Sequence, residues 1–310
     1  MQTCFRRGAQ LRSISRILIL AALVAAFSCK ASEAGTSNSL MDISTDGKLL
    51  ACSNRDSGTV TVVSLANHKV IREIQVGKHP EGVSFIGDSH NLAVAVYGED
   101  QVLLISAPDG GVIGAVDVFD EPYGVVSTAD GSRLFVTLDY PGQIVEIDTK
   151  TRKPIRTIEA GPFARGIALG PKGERLYVTE FYTSTVRAFD IASGKVADEW
   201  KGSGTDNLAR QLVVNPRRPK VYLSHIRSRV NEAHGSGSIF PYVAVPDTRP
   251  GEGSRRRRVP MDTFGQGRIT ANPWEVGINP DGTQLYIVFA GTNELFAAID
   301  DLAPGGTTNM

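Results

Sequence analysis

Cysteine is nearly missing from this chain: it has three, at positions 4, 29 and 52. The first two belong to a leader, so the body keeps only Cys52 and has no partner for an intramolecular disulfide. Three isolated cysteines also leave no Cys-x-x-Cys-His, so haem attachment is excluded and no cofactor is expected. An excess of one charge is missing too. Lys and Arg number 33 against 33 Asp and Glu, so no global field favours nucleic acid or an anionic membrane. Beyond residue 30, helix-length amphipathic patterns are scarce. What remains is glycine, 32 residues of it, and many short apolar runs separated by Gly, Pro and Asp. That pattern predicts an all-β fold.

Catalytic signatures are equally thin. "HGSGS" lacks the strand–Gly-x-Ser-x-Gly–helix setting of a hydrolase nucleophile. "GSGTDN" after Trp200 follows a strand but opens no helix, which argues against a phosphate cradle. His225 and His234 flank Arg227, Arg229 and Glu232, yet nothing in that spacing enforces a metal site. The basic run Arg255 to Arg258 reads as an exposed strand edge kept soluble by charge, not as a nucleic-acid patch.

The N-terminus has a different character. Arg6, Arg7, Arg12 and Arg16 precede a continuous apolar stretch from Ile17 to Phe27. A basic region followed by so short an apolar core predicts a secretory leader. Two processing sites stand open: Cys29, placed as in a lipoprotein signal and hence a lipidation candidate, and the small-residue site ending at Ala34. The expected organisation is a leader over 1–34, a repeat domain over 35–301 and a short tail over 302–310. The product is expected in the periplasm or at the cell surface, touching a membrane only through a lipid anchor.

The repeat is the dominant signal. "DGKLLACS", "DSHNLAVA", "DGSRLFVT" and "KGERLYVT" place one leucine at 50, 92, 134 and 176, always 42 residues apart. Glycines at 82, 124 and 166 keep the same step, as do the strands starting at 60, 102, 144 and 186. Four short strands per 40–45 residues is the period of a β-propeller blade. Such a sheet cannot bury both faces alone, and stacking around an axis buries them against neighbours. In the fifth copy Gln211 and Val221 take the glycine and leucine places, and in the sixth Glu275 and Leu285 do. The step from 221 to 285 is 64, so blade five carries 22 extra residues (64 less 42), placed in an insertion over about 224–270. Its segment Ser224 to Phe240 is expected as a projecting loop. Blade six lacks a fourth strand pattern after Asp300, and truncation is the favoured account.

These repeats, "RLYVT", "TVRAFDIASGKV" and "IREIQVGKHPEGV", resemble the YVTN family of β-propeller repeats (YncE-like). The resemblance implies an exported propeller, often seven-bladed, and supplies no catalytic set. Blade five, through "SHIRSRVNEAHGSGSIFPYVAV", resembles bacterial proteins in which such a propeller precedes a di-haem cytochrome c peroxidase-like domain. That implies a link to a c-type cytochrome system and a redox protein as partner.

In a propeller, the turns into the innermost strands and the loops between second and third strands meet at one mouth of the channel. The first set gives Glu81, Tyr123, Arg165, Arg210 and Trp274. The second gives Tyr97, Asp139, Tyr140, Glu180, Phe181, His225 and Arg227. Polar groups converging there suit capture of a partner or ligand. The expected function is therefore a monomeric binding or scaffold propeller. A propeller enzyme of lactonase or quinoprotein type with an axial metal or cofactor, and a surface-layer or adhesion module, remain as alternatives.

Overall fold

The chain divides into two units, Met1–Glu33 and Ala34–Met310. The computed structural model describes residues 38–231, 236–249, 255–261, 271–291 and 294–299, all within the second unit. The leader with Cys29, the tail over 302–310, and His234 and Glu232 lie outside the described residues.

Blade one comprises β1 (Asn38–Ile43), β2 (Leu49–Asn54), β3 (Thr59–Ser64) and β4 (Lys69–Gln75). Blade two comprises β5 (Pro80–Phe85), β6 (Asn91–Val96), β7 (Gln101–Ser106) and β8 (Val112–Asp117). Blade three has β9 (Pro122–Ser127), β10 (Arg133–Leu138), β11 (Gln143–Asp148) and β12 (Lys153–Glu159). Blade four has β13 (Ala164–Leu169), β14 (Arg175–Glu180), β15 (Val186–Asp190) and β16 (Val196–Trp200). Each is an antiparallel four-stranded sheet in chain order. In blade five the inner strand is split into β17 (Asp206–Asn207) and β18 (Leu212–Val214), both paired with β19 (Val221–Asn231), followed by β20 (Ser236–Pro246) and β21 (Arg256–Pro260). Blade six shows β22 (Pro273–Ile278), β23 (Gln284–Phe289) and β24 (Glu294–Ile299). The described residues contain no α-helix. The protein is an all-β propeller.

The repeat leucines occupy equivalent places. Leu92 lies opposite Ile105, Leu134 opposite Ile147, Leu176 opposite Phe189 and Leu50 opposite Val63. Leu92, Leu134, Leu176, Val221 and Leu285 are fully buried, each burial being worth about 2 kcal/mol. Leu50 is only half-buried. The reason is visible in the apolar clusters, which join neighbouring blades in succession. Val60 and Val62 of blade one meet Phe85 and Ile105 of blade two. Phe135 and Ile144 of blade three meet Leu176 and Phe189 of blade four. Tyr222 and Val243 of blade five meet Ile287 and Phe289 of blade six. No cluster of described residues joins blade six to blade one, and Met41 and Ile43 on that face of blade one are exposed.

Glycine recurs on the inner strand because the next blade's backbone lies against it. A Cβ at Gly82 would stand 2.4 Å from the Tyr123 carbonyl, and one at Gly124 would stand 2.4 Å from the Arg165 carbonyl. A hydroxyl on the second strand reinforces this approach. Thr137 Oγ1 accepts the Gly124 N–H at 2.8 Å and donates to the Arg165 carbonyl at 2.6 Å. Thr179 Oγ1 accepts the Gly166 N–H at 2.9 Å and donates to the Ala209 carbonyl at 3.0 Å. Ser53 likewise bridges Leu40 and the Glu81 carbonyl. This is the physical content of the "YVT" and "FVT" threonines: each latches its own inner strand to the next blade.

Blade five corrects two sequence expectations. The described parts of Ser224 to Phe240 are strand, not loop. Strands β19 and β20 pair continuously from Leu223↔Ala244 to Asn231↔Ser236, so much of the insertion is absorbed by lengthening a hairpin. The run Arg255 to Arg258 does lie on the outer edge strand, with Arg255 exposed, but not all of it faces solvent. Alternation along β21 turns Arg256 towards blade four and Arg258 towards the inner strand of its own blade. Arg256 donates to the Ser184 carbonyl at 2.6 Å and to Ser184 Oγ at 2.7 Å. Arg258 Nη2 lies 2.9 Å from Oδ2 of Asp206, which is fully enclosed. A buried carboxylate, invisible in the local pattern, draws them in.

Candidate binding site at the channel mouth

The innermost strands line a central cavity of about 480 Å³, with Asp42, Ser84, Val126, Ala168, Val213 and Glu275 in its wall. The turn into each inner strand repeats one unusual conformation. His79, Glu121, Phe163, Leu208 and Asn272 adopt φ of 51°, 43°, 53°, 63° and 54°, a left-handed backbone that costs a non-glycine residue about 1 kcal/mol. Each stands two residues ahead of Glu81, Tyr123, Arg165, Arg210 or Trp274. In every one of these blades but blade five, the carbonyl of that twisted residue accepts an N–H from the end of the same blade's second strand. Tyr97 donates to His79, Asp139 to Glu121, and Phe181 to Phe163, at 3.0–3.1 Å. The two predicted sets of loop residues are thereby stitched together at one end of the channel.

Their side chains form a continuous belt. Arg55 Nε meets Glu81 Oε1 at 2.7 Å. Arg165 donates Nε and Nη2 to Asp139 Oδ2 at 3.0 and 2.7 Å, and its guanidinium carbon lies 4.8 Å from the Tyr123 ring centroid and 3.7 Å from that of Phe181. Arg210 continues the row, 5.6 Å from Phe181 and 4.0 Å from Trp274. Cation–π contacts of this kind contribute about 1–2 kcal/mol when desolvated. Burial is the largest single influence on the Arg165 guanidinium and would lower it, but the hydrogen bonds and charge of Asp139, with Tyr123 and Tyr97 adding to them, together raise it. Arg210 has no such carboxylate, and burial lowers it, with Arg165 adding to the effect. Burial also raises the Tyr123 phenol. Tyr97, raised by burial and by its hydrogen bond to Glu121, borders the same group.

Eight of the twelve predicted residues are therefore brought together: Glu81, Tyr97, Tyr123, Asp139, Arg165, Phe181, Arg210 and Trp274. Four are not. Glu180 pairs with Arg187 at 3.2 Å, and Arg187 is also held by Glu199 at 2.8 Å. Tyr140 projects outward, 60% exposed. Arg227 sits within β19 and donates to Thr205 Oγ1 at 3.2 Å. His225 is fully buried on the same strand, stacked on Tyr242. Its place at the mouth is corrected by the strand that replaced the expected loop. Burial, aided by Arg256, holds its imidazole at about 4. At 4.0 Å from Asp206 it is therefore a neutral neighbour rather than an ion-pair partner at pH 7.

Two contributors escaped the sequence reading. Arg55 was legible, because 55, 97, 139 and 181 keep the 42-residue step. The other, a carboxyl pair in the channel wall, was not. Burial pushes Glu275 up to about 7, with Asp42 adding to the shift. Asp42 is raised by burial although the Phe85 N–H binds it at 2.8 Å. Glu275 falls where earlier blades have glycine, and its neighbour Asp42 lies at the far end of the described repeat. Among the described residues, no three His, Cys, Asp or Glu side chains stand together as a metal-binding group.

The YNCE-like beta-propeller family profile matches residues 8–91. No curated protein matches the chain. Among solved structures, hydrazine synthase of Kuenenia stuttgartiensis is similar at 24% identity and a TM-score of 0.78, over 88% of this chain and 80% of that one. A chain of the mitotic checkpoint complex is similar at 14% identity and a TM-score of 0.64, over 84% of this chain and 75% of that one. The Cps50 (Swd1) β-propeller domain of Myceliophteria thermophila is similar at 13% identity and a TM-score of 0.55, over 86% of this chain and 98% of that one. At such identities these likenesses bear on the fold alone. The chain is a β-propeller whose N-terminal repeats are similar to those of the YNCE-like family.

Proposed function

We propose that the protein is an exported binding propeller that engages a protein partner or small ligand at the mouth formed by Glu81, Tyr123, Arg165, Arg210 and Trp274. The observation that carries this reading is the belt itself. Arginines and aromatic rings from successive blades converge on one end of the channel, and Arg, Tyr and Trp are the residues that dominate binding surfaces. Five successive blades, two to six, contribute the residues of this mouth, so a ligand there contacts a rigid, pre-organised frame. Export rests on the basic and apolar leader, and a c-type cytochrome is the partner class that the blade-five resemblance implies.

The test uses the full chain expressed in an exporting bacterium, with Arg55→Glu and Trp274→Ala as rim variants. Fractionation is expected to recover the protein outside the cytoplasm. Capture from the periplasmic and membrane fractions is expected to retain a partner that both variants lose while their melting curves stay close to that of the parent. Haem staining of the captured fraction reads the cytochrome expectation. Cytoplasmic retention overturns export, and capture unchanged in both variants overturns the mouth as the binding face.

A further inference from the structure

The repeat sets a rule at the mouth that one blade breaks. Positions 55, 97, 139 and 181 are equivalent, and each precedes an inner-strand residue of the following blade. Where the pair is charged, its members are opposite in sign: Arg55 with Glu81 at 2.7 Å, and Asp139 with Arg165 at 2.7 Å. At the blade four–blade five step the inner residue is again an arginine, Arg210, but the place that would hold its carboxylate is taken by Phe181. Trp274 closes the other neighbouring position, 4.0 Å away. Arg210 Nη1 is buried and no acceptor reaches it. Glu81 acts on this guanidinium only through space, its own Oε1 being held by Arg55. The residue as a whole is half-buried, so part of it meets solvent.

We propose that Arg210 receives a carboxylate from the ligand, held edge-on to the guanidinium between Trp274 and Phe181. This deepens the binding reading above and rests on it. Two aromatic neighbours leave the fork of N–H donors to an acceptor lying in the guanidinium plane, and a carboxylate matches that fork with two parallel bonds. A neutral amide matches only part of it. Desolvation by the rings strengthens the pairing relative to one in open water. The carboxylate takes the role that Asp139 plays for Arg165, supplied from outside the chain.

The experiment titrates the full chain with N-acetyl-aspartate amide, with its neutral analogue N-acetyl-asparagine amide, and with a terminally blocked octapeptide bearing one central Asp. Calorimetry and tryptophan emission are the readouts. The protein has two tryptophans, and Trp200 is enclosed, so a saturable emission change is assigned to Trp274 and is expected to vanish in Trp274→Phe. Saturable binding of the acid is expected, with at least tenfold weaker binding of the neutral analogue. Arg210→Gln is expected to lose at least tenfold, and Arg210→Lys to fall between. Phe181→Asp, which rebuilds the internal pair, is expected to abolish binding, and melting curves establish that each variant is folded. A blocked peptide that binds tenfold better than the free acid assigns the carboxylate to a protein partner, and the reverse order assigns it to a small acid. Equal binding of acid and neutral analogue, or an Arg210→Gln variant that binds the acid like the parent, overturns the proposal. If partner capture survives in Arg210→Gln but fails in the rim variants, the mouth stands as the binding face and only the carboxylate assignment falls.

Discussion

The interface between blades three and four and the one between blades five and six bury the same kind of strand but are held differently. The first has Gly124 set against the Arg165 carbonyl and Thr137 bridging both inner strands. The second has Gln211 in the glycine place, and Ser224, the counterpart of Thr137, is buried with no partner for its Oγ. Its cohesion comes instead from Tyr222, Ile287, Phe289 and their apolar neighbours. Between them, at the blade four–blade five step, the Thr179 latch is joined by a charged cluster: Arg256 and Asp206 both reach Ser184 of blade four, and Arg258 holds Asp206 from within blade five. A propeller can thus close successive interfaces by backbone latch, by buried charge or by apolar packing. Only the first kind leaves a strict repeat in the sequence.

Four expected effects, read from six substitutions, sharpen this contrast. The largest effect is expected at the charged interface. Asp206→Ala takes from Arg258 its carboxylate and from the more deeply placed Arg256 a nearby compensating charge, and should cost about 3 kcal/mol, read by chemical denaturation. A loss no larger than that of an exposed aspartate would show that the cluster is solvated.

Gly124→Ala forces a methyl to within 2.4 Å of a backbone oxygen and should cost about 3 kcal/mol. Its control is Gly277→Ala in blade six, where an added Cβ meets nothing within 4 Å. Comparable melting temperatures for the two variants would remove close backbone approach as the reason for the repeat glycine.

Glu275 adds a pH dependence confined to the channel wall beside blade one. Its folded-state value of about 7 lies above the ordinary 4.5, so between those values the folded chain binds a proton that the unfolded chain has released. Stability therefore falls as pH rises through that window. Glu275→Gln should gain about 2 kcal/mol relative to the parent at pH 8, allowing for partial solvent screening, and nothing at pH 4. A pH-independent difference between parent and variant would mean that Glu275 takes up its proton alike in the folded and the unfolded chain.

The smallest effect belongs to the latch hydroxyl alone. Thr137→Val should cost about 1 kcal/mol, whereas Ser224→Ala, removing a hydroxyl that bonds nothing, should be neutral or slightly stabilising. Equal losses would place Ser224 in an unseen bond and erase the distinction between the two interfaces.

Much of the belt was legible in the chain because the repeat was. A 42-residue step fixes which residues are equivalent, and a propeller brings equivalent residues around one axis. Glu81, Tyr123, Arg165, Arg210 and Trp274 follow from that alone. His225 and Arg227 did not follow, because "SHIRSRVN" was taken as the start of an inserted loop when its alternation continues a strand. The buried fate of Arg256 and Arg258 was hidden for another reason. Their partner Asp206 stands about 50 residues earlier (258 less 206 is 52), and no local pattern links the two.

By itself, then, the sequence determined the blade, its period, the order of strands and the end of the channel where loop residues gather. All of these are set by local alternation and by equal spacing along the chain. The tertiary structure decided which charges at that end neutralise each other and which does not. Arg165 found Asp139, Glu81 found Arg55, and Arg210 met two aromatic rings. Charge pairing depends on distances of a few ångströms between residues tens of positions apart, and those distances exist only once the blades have packed.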